Sequence, residues 1–310
     1  MSRSKLIGAG ILALSLFILI VAFFMLPNRT SRYYSQAQSG QAVGVIYISG
    51  AIMAGGSASD LFGSVTAGSN TIMSQIKQAA EDPDIKAVVL RINSPGGSAA
   101  ASQEIGEELQ KLKKTGKTIV TSMGDTAASG GYWIAAHSDL IVANPGTLTG
   151  SIGVITQLQN LEGLYDMLGI EHETFVSGPH KDMGSTSRPP TGEERQIFQA
   201  MVDDIYEQFV DVVAQGRNME REEVIALADG RIYTGRQAKE LGLVDELGNF
   251  HTALDIAAQR AGLGENYRVK HFIRTSPLQR LLQSVSSIIP LELRQQQAKG
   301  LLSHGQVIIN

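Results

Sequence analysis

Short apolar runs alternate with longer amphipathic segments through the middle of the chain. Val43–Ser49 (VGVIYIS), Ala87–Asn93 (AVVLRIN), Thr118–Met123 and Leu140–Ala143 are such runs. Their length and β-branched content predict strands buried on both faces of a parallel sheet. Between them, Asn70–Ala80 and Ser98–Lys114 carry helical spacing, the second with a Glu/Lys-rich outer face. Strands alternating with helices predict an α/β fold with a mainly parallel sheet. Further on, Thr191–Gly216, Gly235–Gly242 and Asn249–Ala261 are predicted helices. Thr191 is placed to cap the first, and Glu193 and Glu194 fall in its first turn, where the helix dipole favours acids. Gly55–Ser69 is rich in Gly and Ser and predicts a mobile loop.

The two ends read differently. Leu6–Leu26 (LIGAGILALSLFILIVAFFML) is a stretch of 21 residues without a charge. At helical rise it spans about 31 Å, enough to cross a bilayer core. It runs into Pro27-Asn28-Arg29 with no small-x-small cleavage site, so an uncleaved signal anchor is expected. Arg3 and Lys5 on one side and Arg29 and Arg32 on the other balance each other. A short basic N-terminal tail before a large domain favours a cytoplasmic N-terminus and a body outside the cytoplasm. The resulting division is a tail and membrane helix over 1–27, a polar linker over 28–41, a folded domain over 42–265 and a C-terminal tail over 266–310. In that tail, Pro277–Pro290 places Leu278, Leu281, Leu282, Val285, Ile288 and Ile289 on one helical face. This face fits packing against the body or a neighbouring subunit, or a membrane surface.

The net charge of −4 offers no broad basic surface for nucleic acid. The chain has no cysteine, which excludes disulfides and thiolate metal sites. No metal or cofactor is expected. Candidate chemistry centres on Ser129, in Ala127-Ala128-Ser129-Gly130-Gly131-Tyr132 at the start of an apolar helix. Alone it would be a helix cap or a small packing residue. Its company changes that. A helix N-terminus favours developing negative charge, and Asn93-Ser94-Pro95-Gly96-Gly97, an ordinary tight turn in other surroundings, offers more glycine N–H groups. A serine needs a base. His137 lies about two turns along the same helix, too far to reach back, and no other histidine is obviously placed. Lys181, in Ser177-Gly178-Pro179-His180-Lys181-Asp182, is the remaining candidate, since burial can hold a lysine neutral. Otherwise it is a solvated loop lysine.

Four segments in this order resemble the signal peptide peptidase A family of serine–lysine proteases, within the Clp protease/crotonase superfamily. They are Asn93–Gly97, Ala128–Tyr132, Thr149-Gly150-Ser151-Ile152-Gly153-Val154, and Ser177-Gly178 with Lys181-Asp182. Gly230–Ala238 and Leu241–Asp245 resemble the same family's C-terminal signature, and the likeness covers residues 43–262. The resemblance implies a superhelical fold of repeated β-β-α units. It implies Ser129 as nucleophile, Lys181 as general base, and oxyanion donors from Gly130 and one of Gly96 and Gly97, with Gly96 preferred. It further implies that Ser151 positions the lysine. Histidine-using relatives carry a histidine about 25 residues after the serine, where this chain has Gly153-Val154-Ile155. Long members carry two copies of the fold and this chain carries one, which implies a homo-oligomeric ring whose sites share residues between subunits.

The implied activity is endopeptidase cleavage of apolar peptides, such as signal peptides left in or beside the membrane. Two other readings stay open: a non-catalytic oligomeric scaffold for membrane quality control, and a crotonase-type acyl-CoA enzyme. The latter needs the same oxyanion donors but no serine–lysine pair.

Overall fold

A computed structural model describes residues 40–59 and 65–272. The predicted anchor at Leu6–Leu26 and the tail helix at Pro277–Pro290 lie outside these residues. Among the described residues, no helix is long and apolar enough to cross a membrane.

The strands are β1 (Ala42–Ser49), β2 (Ala51–Met53), β3 (Ala58–Ser59), β4 (Val65–Gly68), β5 (Ile85–Ser94), β6 (Thr118–Ala128), β7 (Leu140–Ala143), β8 (Leu148–Gly150), β9 (Ile232–Thr234), β10 (Glu246–Leu247) and β11 (Arg268–Phe272). The helices are α1 (Ser69–Glu81), α2 (Ala99–Lys113), α3 (Gly130–Ala136), α4 (Glu162–Leu168), α5 (Gly192–Arg217), α6 (Arg221–Leu227), α7 (Gly235–Glu240) and α8 (Phe250–Arg260). The main sheet runs β10-β7-β6-β5-β1-β11, every neighbouring pair parallel, with β8 joined to β6 and β9 to β8. This is the expected α/β architecture with a mainly parallel sheet.

Two apolar layers hold it. Ile46, Ile48, Leu90 and Ile92 face α1, α2 and α3, while Val43, Val45, Val89 and Val120 pack beneath α8. Burial on both faces is why β1 and β5 read as continuous apolar runs. Each of these side chains contributes roughly 1.5–3 kcal/mol of transfer free energy.

Several elements depart from the sequence reading. Gly55–Ser69, expected as a loop, contains β3 and β4, which join β2 in a small separate sheet. Hydrogen bonds order its glycines, with Gly68 N–H on Ser57 Oγ at 2.9 Å and Ser57 N–H on Thr71 Oγ1 at 3.0 Å. β6 runs to Ala128 rather than stopping at Met123. The sheet also takes in β11, beyond residue 265, with Ala42–Ile46 in register with Arg268–Phe272. The short strands β8, β9 and β10 gave no apolar run long enough to read.

Candidate active site

The site grows from an irregularity between β5 and β6. Ile92 pairs with Met123, but Ser94 pairs with Ala127, so β6 carries extra residues across the gap. Asn93 fills it: its Oδ1 accepts from Thr126 N–H at 3.1 Å and its Nδ2 donates to Asp125 Oδ2 at 3.1 Å. A Cβ on Gly124 would sit 3.0 Å from Asn93, so glycine lets the side chain in. Thr147, just before β8, and Thr149 within it hold the same stretch, their hydroxyls donating to Gly124 O and Ala127 O at 2.7 Å. The bulge carries β6 forward and delivers its end to Ser129.

Ser129 sits between β6 and α3 with φ 54° and ψ −124°, one of three non-glycine residues with positive φ among those described. Its side chain makes no capping hydrogen bond. The sharp turn between strand and helix presents the hydroxyl instead of burying it. Ser129 N–H donates to Gly150 O at 2.9 Å, which sets Ser151 beside it in space. Ser151 also has positive φ, at 50°, and donates its N–H to Arg231 O at 2.8 Å. The Gly230–Ala238 signature thereby gains a structural role. β9 pairs antiparallel with β8, and a Cβ on Gly150 would meet the Tyr233 ring at 2.6 Å. This buttress of Ser151 is a part that sequence reasoning missed. The signature itself was the available signal.

The two loop glycines have different surroundings. Gly96 is buried, with φ 103°, and its N–H donates to Ser94 Oγ at 3.1 Å. A Cβ on it would lie 2.7 Å from Ser129 Cβ, so it forms the floor under the serine. Gly97 is exposed and bridges in parallel to Ile52. That bridge uses Ile52 N–H on Gly96 O and Ser98 N–H on Ile52 O, at 2.9 and 2.8 Å. Gly97's own N–H takes no part in that bridge, and its nitrogen lies 3.4 Å from where a Gly130 Cβ would be.

An open cavity of about 860 Å³ lies over these groups. Gly97, Ser129, Gly130 and Ser151 line it, with Tyr206 and Phe209 of α5 as part of its apolar wall. Phe209 packs against Trp133, the rings tilted by 38° with centroids 4.9 Å apart, fixing α5 to α3. The α5 wall was not read from sequence, because one stripe of that helix serves both core and cavity.

Lys181 is not brought to this place. It is exposed, in a series of turns, and is not among the residues lining the cavity. No histidine lines it either. His137 caps the far end of α3, bonded to Gln110 at 2.9 Å, and burial together with Lys113 pushes its pKa down to about 4. Beside Lys181, a guanidinium joins two carboxylates. Arg188 donates to Asp182 at 2.8 and 2.9 Å and to Glu194 at 2.6 and 2.9 Å. Arg188, with the Thr191 N–H, holds the Glu194 carboxyl down at about 2, and Arg188 likewise lowers that of Asp182.

The model of peptidase family S49 matches residues 111–264, and the Clp protease model matches residues 60–142. The chain is 47% identical over 197 residues to a putative signal peptide peptidase SppA of Enterococcus faecium, spanning 64% of this chain and 57% of that protein. It is 45% identical over 204 residues to a putative protease of Synechocystis, spanning 66% and 73%. Against protease 4 of Salmonella typhi it is 40% identical over 227 residues, 73% of this chain and 36% of the relative.

Proposed function

This chain belongs to peptidase family S49, among the serine proteases of the signal peptide peptidase A type, and we propose that it cleaves peptide bonds with Ser129 as nucleophile and Lys181 as general base. One observation carries the reading: Ser129, strained and uncapped at a strand–helix turn, faces a cavity beside the N–H of Gly97. In this mechanism Lys181 Nζ takes the hydroxyl proton as Oγ attacks the scissile carbonyl. The tetrahedral oxyanion is held by the N–H groups of Gly130 and Gly97. The lysine ammonium then protonates the leaving amine, and water repeats the sequence on the acyl-enzyme. Gly97 replaces Gly96 as the favoured donor, because Ser94 already takes the Gly96 N–H. Ser151, next to Ser129 across the β6–β8 pairing, is suited to orient the incoming amine.

Lys181 stands apart from the cavity of its own chain, so in this reading a neighbouring copy supplies the base. The segment that bears it supports this. No residue from Gly153 to Glu193 is buried, yet the segment includes Ile155, Met167 and Phe175, each more than 80% exposed. A ring in which this arm lies on the next subunit covers those side chains and completes each site. The substrate is an apolar peptide in extended form, with remnant signal peptides as the class that a membrane-anchored protease facing outward would meet.

A fluorophosphonate probe on the purified protein tests the nucleophile: labelling maps to Ser129 and is lost in Ser129→Ala. Labelling at another serine would overturn the assignment. Activity rises with pH, because the base works only as neutral lysine, and a rate flat into the acid range contradicts it.

A further inference from the structure

The ion-paired cluster next to Lys181 has no part in the mechanism above. Its Asp182 carboxylate belongs to the residue that follows the proposed base. A free carboxylate there would favour the ammonium form of the lysine and oppose its use as a base. In the structure both oxygens of Asp182 are occupied, Oδ2 by Arg188 Nε at 2.9 Å and Oδ1 by Nη2 at 2.8 Å. The guanidinium is anchored from behind. Glu194, with 1% of its side chain exposed, accepts Nη2 and Nη1 at 2.6 and 2.9 Å. Glu194 also takes the Thr191 N–H at 2.8 Å in the capping box that opens α5.

We propose that Arg188 is a positioning residue for the base: its fork pins the Lys181 turn to the start of α5 and withholds the Asp182 carboxylate from the lysine. The inference rests on Lys181 being the general base. Bidentate pairing on two sides fixes the guanidinium plane, which a single ammonium could not do. Other charges face the cluster. Glu162, Tyr165 and Asp166 from α4, and Glu171 and His172 after it, line a hollow with Asp182 and Arg188. From α5, Glu193 lies 3.5 Å from His180. The surroundings are acidic, and Arg188 is the group that offsets Asp182, which follows Lys181 in the chain, together with Glu194. The same helix that receives the clamp carries Tyr206 and Phe209 to the serine cavity, so it connects the lysine turn to the wall of a site.

The test is the pH–rate profile of the full-length protein on a peptide substrate. In Arg188→Gln the acid limb moves up by about one pH unit and kcat below the limb falls about tenfold, with KM little changed. Adding Asp182→Asn to that variant returns the limb toward its original position. Arg188→Lys keeps the charge without the fork, so it loses rate but leaves the limb nearer the original. A limb unmoved in Arg188→Gln, whatever happens to the rate, overturns the proposal. If Arg188→Gln does not fold, Asp182→Asn alone decides: a limb at or below its original pH supports the proposal, and an upward shift overturns it. Lys181→Ala is assayed in parallel. If it stays active, the general-base reading fails and this inference with it; if it is inactive while the Arg188→Gln limb stays put, only this inference fails.

Discussion

At Ser129 the backbone takes φ 54° and ψ −124°, a conformation that side chains with a Cβ disfavour. Holding it costs about 1–3 kcal/mol, and the surroundings supply the constraint. Gly150 O fixes the Ser129 N–H, and Tyr132 and Trp133 N–H groups both donate to Ser129 O. Two variants separate strain from chemistry. Ser129→Ala and Ser129→Gly are both expected to be inactive, with the glycine variant relaxing the turn and more stable than the alanine variant by about 1 kcal/mol. Thermal unfolding of the pair measures the difference, and equal melting points would remove strain from the account. The turn that carries Ser129 was legible from its glycine-rich context, and among the described residues no histidine lines the cavity beside it. The choice between Gly96 and Gly97 was not. Both have positive φ, 103° and 155°, and which N–H faces the site depends on the pairing of Gly97 with Ile52, far away in sequence. Residue spacing carries no record of that pairing.

Among elements, α5 links most of the chemistry. Its start was readable: Thr191 caps it, and its N–H reaches back to Glu194 in a full capping box. What the acid-rich first turn did not reveal is that Glu194 is buried under Arg188, since five intervening residues hide the contact. The pairing with Arg188 has a pH signature. The Glu194 carboxyl, ordinarily near 4.5, is held at about 2 in the folded protein. Its contribution to stability is complete above the unfolded value and is lost as pH falls from about 4.5 through about 2. Melting points recorded across that window will drop less steeply in Glu194→Gln than in the parent protein; parallel curves would contradict the linkage. Further along α5, Phe209 is 2% exposed and packed against Trp133. Phe209→Ala removes a core contact and part of the cavity wall, with an expected loss of about 3–5 kcal/mol by denaturant unfolding. The short strands around Ser151 escaped the sequence reading for a different reason. Three-residue strands held by side-chain bonds such as Thr149 Oγ1 to Ala127 O have no periodicity to detect.

In the whole molecule, the parallel sheet was predictable because its strands are apolar on both faces, and the arm from Gly153 to Glu193 was not. None of its residues is buried and Ile155, Met167 and Phe175 are each more than 80% exposed, so no pattern within one chain reveals what they cover. The proposed arm on a neighbouring copy would account for that exposure and for the absence of Lys181 from the lining of the serine cavity. Replacing Met167 and Phe175, 81% and 87% exposed, with aspartate should leave a folded monomer without activity. Sedimentation together with a peptide assay checks both halves of that expectation, and a fully active monomer would contradict it. The most direct measurement mixes two inactive proteins. Ser129→Ala retains the lysine and Lys181→Ala retains the serine. If each site takes its serine from one chain and its base from the next, random co-assembly of equal amounts restores about a quarter of the sites. The account predicts activity in the mixture at that order and none in either variant alone. A mixture that assembles and stays inactive would contradict it.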